Sequence, residues 1–93
     1  MPAMPHSDPP SPRQVLRLTV FAGLADAVGG RVIELPWTGG VVADARRLVA
    51  ERHPAAAPLL ARSGFAVGSR YVTDDAPLAA GDDVAIIPPV SGG

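Results

Sequence analysis

The chain has 93 residues, of which 47% are hydrophobic and 18% charged, and a formal net charge of −1. A single domain of this size buries only about 60 to 65% of its unfolded surface, leaving little interior for an enclosed active site, and the near-neutral balance gives no electrostatic ground for nucleic acid or an anionic membrane as partner. Cysteine is absent, which excludes disulfides, thiolate metal sites and a side-chain persulfide, and all eight basic residues are arginine, so no lysine here can accept an isopeptide bond. No apolar stretch approaches the roughly 20 residues of a membrane span and no basic segment precedes an apolar one at the N-terminus, so a cytoplasmic protein is expected.

Residues 1–14 hold five prolines among Ser, Asp and His and too few apolar side chains to fold, which predicts a disordered Pro-rich leader. A Pro-rich recognition segment is the alternative, disfavoured because Arg13 is the only flanking basic or aromatic residue. Residues 15–22 alternate, with Leu16, Leu18 and Val20 on one face and Val15, Arg17, Thr19 and Phe21 on the other, as in a strand with one core face. Leu24, Ala25 and Val28 then fall at helical spacing, Gly29-Gly30 supplies a turn, and Val32, Ile33 and Leu35 resume an extended segment closed by Pro36. Together these make a hairpin with a partly helical connection, and Trp37 is read as a lid on the core edge.

Residues 41–53 form the main helix, with Val41, Ala45, Leu48 and Val49 on the apolar face and Asp44, Arg47 and Glu51 spaced for weak surface pairs. Asp44 in the first turn and His53 in the last suit the helix dipole, and Pro54 stops the helix. His53 has no paired His or Cys with which to bind metal. Residues 55–62 predict a short helix interrupted at Pro58. A Ser63-Gly64 turn leads into a strand over 65–73, where Phe65, Val67, Ser69 and Tyr71 share one face. Asp74-Asp75 and Gly81-Asp82-Asp83 read as turn residues around Ala76-Pro77-Leu78, lacking the ligand spacing of a calcium loop. Residues 84–87 are the last strand. Phosphate-binding and nucleophile-elbow motifs are absent.

This order predicts an α+β fold, a ubiquitin-like β-grasp, in which a mixed sheet packs on one main helix over residues 15–87. First and last strands lie parallel in the middle, so Ile86 and Ile87 see different surroundings. The face away from the helix then carries Phe21, Tyr71 and Ile87 (or Ile86) as an apolar patch of the kind that suggests a protein interface. Beside it residues 88–93 leave as an extended tail, Pro88-Pro89-Val90-Ser91-Gly92-Gly93. The prolines stiffen its base, and the glycines suit a slot too narrow for side chains and leave the terminal carboxylate open to attack. Six extended residues reach at most about 20 Å. A carboxylate becomes reactive only with a leaving group such as adenylate, which a chain with no phosphate-binding loop must obtain from another protein.

Residues 15–29 (V-L-R-L-T-V-F-A-G-L-A-D-A-V-G), Val42-Ala43-Asp44 and residues 77–84 (P-L-A-A-G-D-D-V) carry a resemblance, completed by the end Ile86-Ile87-Pro88-Pro89-Val90-Ser91-Gly92-Gly93. Together they resemble the small subunit of molybdopterin synthase, within the ubiquitin-like sulfur-carrier superfamily. The resemblance implies a subunit that is no enzyme on its own and binds no permanent cofactor or metal. It implies that an ATP-dependent adenylating and sulfurating enzyme converts Gly93 to a thiocarboxylate. The large subunit, which holds the catalytic residues, then takes the sulfur for a pterin precursor in molybdenum cofactor biosynthesis. By position, Gly93 bears the sulfur, Gly92, Ser91, Val90, Pro89 and Pro88 thread the partner's channel, and Phe21, Tyr71 and Ile87 belong to the partner interface. Three departures touch the body rather than the tail: Val41 stands where the family often has a capping Thr, Ala66-Val67-Gly68 where it often has A-V-N, and the leader is extra. A carrier for another pathway (thiazole, cysteine or a secondary metabolite) and a ubiquitin-like modifier or binding module remain alternatives.

Overall fold

The computed structural model describes residues 14–89; residues 1–13 of the leader assigned to 1–14 and the tail residues Val90, Ser91, Gly92 and Gly93 lie outside the described residues. Five strands form one mixed sheet in the order β2-β1-β5-β3-β4. They are β1 (Val15–Val20), β2 (Val32–Pro36), β3 (Gly64–Val67), β4 (Arg70–Val72) and β5 (Asp83–Ile87). β1 runs antiparallel to β2 and parallel to the central β5, which is antiparallel to β3. Three helices are α1 (Ala22–Val28), α2 (Val42–Arg52) and α3 (Ala57–Ala61), with a 3₁₀ turn at Pro54–Ala56 before α3. This is the β-grasp arrangement that the order of elements predicts, with first and last strands side by side.

Strand alternation decides which side chains enter the core. Leu16, Leu18 and Val20 of β1, Ile33 and Leu35 of β2, Phe65 of β3, and Val84 and Ile86 of β5 are all buried against Val42, Ala45 and Val49 of α2. Leu24 of α1 and Leu60 of α3 close the sides. Trp37 is 3% exposed and its Nε1 donates to the Leu78 carbonyl oxygen at 2.8 Å, so the indole covers the core edge with its polar atom satisfied. Gln14, assigned to the leader from sequence, belongs to the body: its carbonyl accepts the Trp37 N–H at 2.8 Å and prolongs the β1–β2 ladder.

Four expectations are corrected. Residues 65–73 are not one strand but a β3–β4 hairpin turned at Gly68-Ser69, with φ of 56° and 72°. Positive φ at both loop residues gives the twist that a two-residue hairpin needs. The turn reverses the phase, so Tyr71 pairs with Ala66 and faces away from the core while Phe65 faces into it. Second, Val41 caps α2 instead of packing on its apolar face, where Val42 takes the buried place. With no side-chain acceptor at Val41, neighbours satisfy the helix start: Ala76 and Asp74 carbonyls accept the N–H groups of Val42 and Ala43, and Asp44 Oδ2 accepts that of Val41 at 2.9 Å. Third, Pro58 does not interrupt α3 but sits in its first turn, where a missing N–H is harmless. Fourth, Asp83 is no turn residue but the first residue of β5.

Arg46, which the sequence did not single out, ties these parts together. Its Nη1 donates to the Leu60 and Ser63 carbonyls at the end of α3, at 2.6 and 2.8 Å, and its Nη2 to Asp74 Oδ1 at 2.7 Å. The guanidinium also lies 4.9 Å from the centre of the Phe65 ring. The surface pairs expected along α2 are present, Arg47 lying 3.5 Å from Asp44 and 3.6 Å from Glu51.

Candidate functional site: the outer sheet face

Helices cover one face of the sheet, and among the described residues nothing covers the other. Register places its side chains in rows. Val32, Thr19, Ala85, Ala66 and Tyr71 follow one another across β2, β1, β5, β3 and β4. The next pair toward the end of β5 is Ile87 beside Gly64, with Phe21 just beyond the end of β1. On the other side of the middle row stand Glu34, Arg17 and Asp83, so one end of the face is charged and the end nearest the tail is apolar.

Phe21, Tyr71 and Ile87 are brought together here. They wall a shallow groove of about 430 Å³ whose floor is Thr19, Ala66 and Ala85, with Ser69 and Asp83 on its rim. Small residues in the middle row let the floor sink between larger neighbours. Tyr71 is 72% exposed and Phe21 45%, high values for aromatic rings on a folded domain. Between Ile86 and Ile87, strand alternation assigns Ile87 to this face, because Ile86 is wholly buried.

Each wall residue is held by its local backbone. Phe21 caps α1: its carbonyl accepts the N–H groups of Leu24 and Ala25 at 3.1 and 3.3 Å. The turn from β1 into α1 is taken at Ala22 with φ 50°, a left-handed conformation that costs a non-glycine residue about 1 to 2 kcal/mol. Tyr71 lies diagonally over Gly64, where an added Cβ would come within 3.3 Å of its ring. Ile87 ends β5, and the half-buried Pro88 and Pro89 follow at once, so the groove adjoins the base of the tail. A larger concavity of about 540 Å³, lined by Gln14, Trp37, Thr38 and residues 78–80, sits at the opposite end of β1, away from the tail.

Floor residues Ala66 and Ala85 were not anticipated, although Ala85 between Val84 and Ile86 is where strand alternation leaves a small outward residue. Among the described residues no group of three His, Cys, Asp or Glu could hold a metal ion, and no helix is long and apolar enough to cross a membrane.

The family model described as the ThiS family matches residues 18–93. The chain belongs to the ThiS family. Its ubiquitin-like β-grasp is that of a ThiS-type sulfur carrier. Among solved structures it is similar to SAMP1 from Haloferax volcanii, at 26% identity and a TM-score of 0.73, covering 85% of this chain and 99% of that one. A Pyrococcus furiosus protein assigned as molybdopterin converting factor subunit 1 is 27% identical with a TM-score of 0.72, covering 82% and 98%. The Helicobacter pylori complex of subunits 1 and 2 of molybdopterin-converting factor shares the fold, at 16% identity and a TM-score of 0.61, covering 85% and 99%. No curated protein sequence matches the chain.

Proposed function

We propose that this chain is the sulfur-carrying small subunit of a molybdopterin synthase, acting in the cytoplasm and donating sulfur from a thiocarboxylate at Gly93 to a pterin precursor. The observation that carries the reading is the apolar groove of Phe21, Tyr71 and Ile87 set where β5 runs into Pro88-Pro89. A large subunit that docks there covers the exposed rings while the tail, starting at the edge of the same face, extends into its active site. Val90, Ser91 and Gly92 thread the channel, and Gly93 presents its carbonyl carbon. The Helicobacter pylori complex of subunits 1 and 2 supports a partner of this kind.

Division of labour follows from the chemistry. An ATP-dependent partner forms the adenylate on the Gly93 carboxylate with release of pyrophosphate, sulfide-level sulfur displaces AMP to leave the thiocarboxylate, and the large subunit supplies the catalytic groups for transfer to the pterin. The carrier supplies an unhindered acyl terminus and a rigid docking body, and no cofactor of its own. The reading is tested by adding thiocarboxylated chain to the large subunit and assaying sulfur incorporation into the pterin precursor. A second reading, a modifier that forms isopeptide bonds, is favoured by the 25% identity to the Haloferax volcanii small archaeal modifier protein 1. It predicts conjugates on lysines of other proteins and no pterin product.

A further inference from the structure

Asp83 stands apart from most other acidic residues of the fold. Asp44, Asp74, Asp75 and Asp82 each accept a hydrogen bond from backbone, Arg46 or Thr73, and Glu51 pairs with Arg47. Arg17 is the neighbour of Asp83 across the β1–β5 register, but its Nε lies 3.4 Å from Glu34 Oε2 on the other side. Among the described residues the exposed Asp83 carboxylate is left with neither a salt bridge nor a side-chain hydrogen bond, and it is the one charged group lining the groove.

Its position gives that vacancy a consequence. A protein that seats an apolar side chain over Thr19 and Ala85 strips water from the adjoining carboxylate, and a desolvated charge without a partner opposes binding. The favourable solution is a cation beside the apolar anchor, which also fixes the orientation of docking in a groove that no other charged residue lines. We propose that Asp83 is a specificity residue of the docking face, pairing with an arginine or lysine of the large subunit that lies next to the apolar side chain filling the groove. This rests on the docking role given to the face above.

The test measures affinity of the large subunit from the same organism for the wild type, Asp83→Asn, Asp83→Arg, Glu34→Gln and Phe21→Ala, each at low and high salt. A rim ion pair predicts that Asp83→Asn weakens binding about two- to fivefold at low salt and scarcely at high salt, since screening removes the same attraction. Asp83→Arg weakens it further, and Glu34→Gln matches wild type. Asp83→Asn keeps the shape of the side chain, and an unchanged thermal midpoint confirms the fold. If Asp83→Asn binds with wild-type affinity and salt dependence while Phe21→Ala still weakens binding, the docking face stands and the role of Asp83 is refuted. If Phe21→Ala also binds like wild type, or the large subunit does not bind, both the docking reading and this inference are overturned.

Discussion

Phe21→Ala separates a docking residue from a core residue, because the side chain is half in each role. With 45% of the residue exposed and roughly 200 Å² in a phenylalanine, a partner that covers it completely removes about 90 Å² of apolar surface from water. At about 25 cal/mol per Å² that is about 2 kcal/mol, or about thirtyfold in affinity. Loss of stability should be smaller, about 1 kcal/mol. The capping done at this position is by the backbone carbonyl, which alanine retains, and the ring faces the open side of the sheet. Titration calorimetry with the large subunit and thermal unfolding of the free chain give the two numbers. Phe65→Ala, at a wholly buried position, should show the reverse, losing about 3 to 5 kcal/mol of stability. A collapsed midpoint for Phe21→Ala with unchanged affinity of the folded fraction would place Phe21 in the core and refute the assignment of faces.

Arg46→Ala should destabilise by about 2 to 4 kcal/mol in denaturant titration, since it strands two carbonyls, removes the ion pair to the half-exposed Asp74 and uncovers Phe65. Arg46→Lys should rescue little of this, because one ammonium cannot span the fork; a change under about 0.5 kcal/mol for either variant would refute the clamp. Gly68→Val should cost about 1 to 2 kcal/mol or more through its φ of 56°, and normal stability would mean that the hairpin turns differently. Removal of residues 1–13 should leave stability and partner affinity unchanged within about 0.5 kcal/mol, and a loss above about 1 kcal/mol would show that this segment packs on the body.

Patterns with a local physical cause were legible in the sequence. Alternation in β1 named its three core residues, Pro54 ended α2, and Trp37 fell where a lid was expected. The β3–β4 phase was missed because residues 65–73 alternate acceptably as a single strand, although Gly68-Ser69 between two apolar runs is itself a hairpin signal. Recognising that turn leaves Tyr71 on the outer face expected for it, sends Phe65 into the core and sets Ala66 beside Tyr71 in the groove. The long-range partners of the α2 cap and of the Arg46 clamp were not legible. Those partners, at Asp74, Ala76, Leu60 and Ser63, are distant in sequence and meet only when the loops fold back on the helix.

The measurement that tests the central claim most directly is intact mass of the chain after incubation with the activating enzyme, ATP and a sulfur donor, followed by the pterin assay with the large subunit. Wild type should gain the mass difference between sulfur and oxygen, localised to Gly93, and should then form product. A variant carrying one residue after Gly93 should fold identically yet form no product, because the reactive carbonyl is displaced by about 3.5 Å, far beyond the roughly 1 Å that already costs about a hundredfold in rate. Wild-type product formation by that extended chain, shown to be untrimmed, would contradict a carrier that works through its terminal glycine.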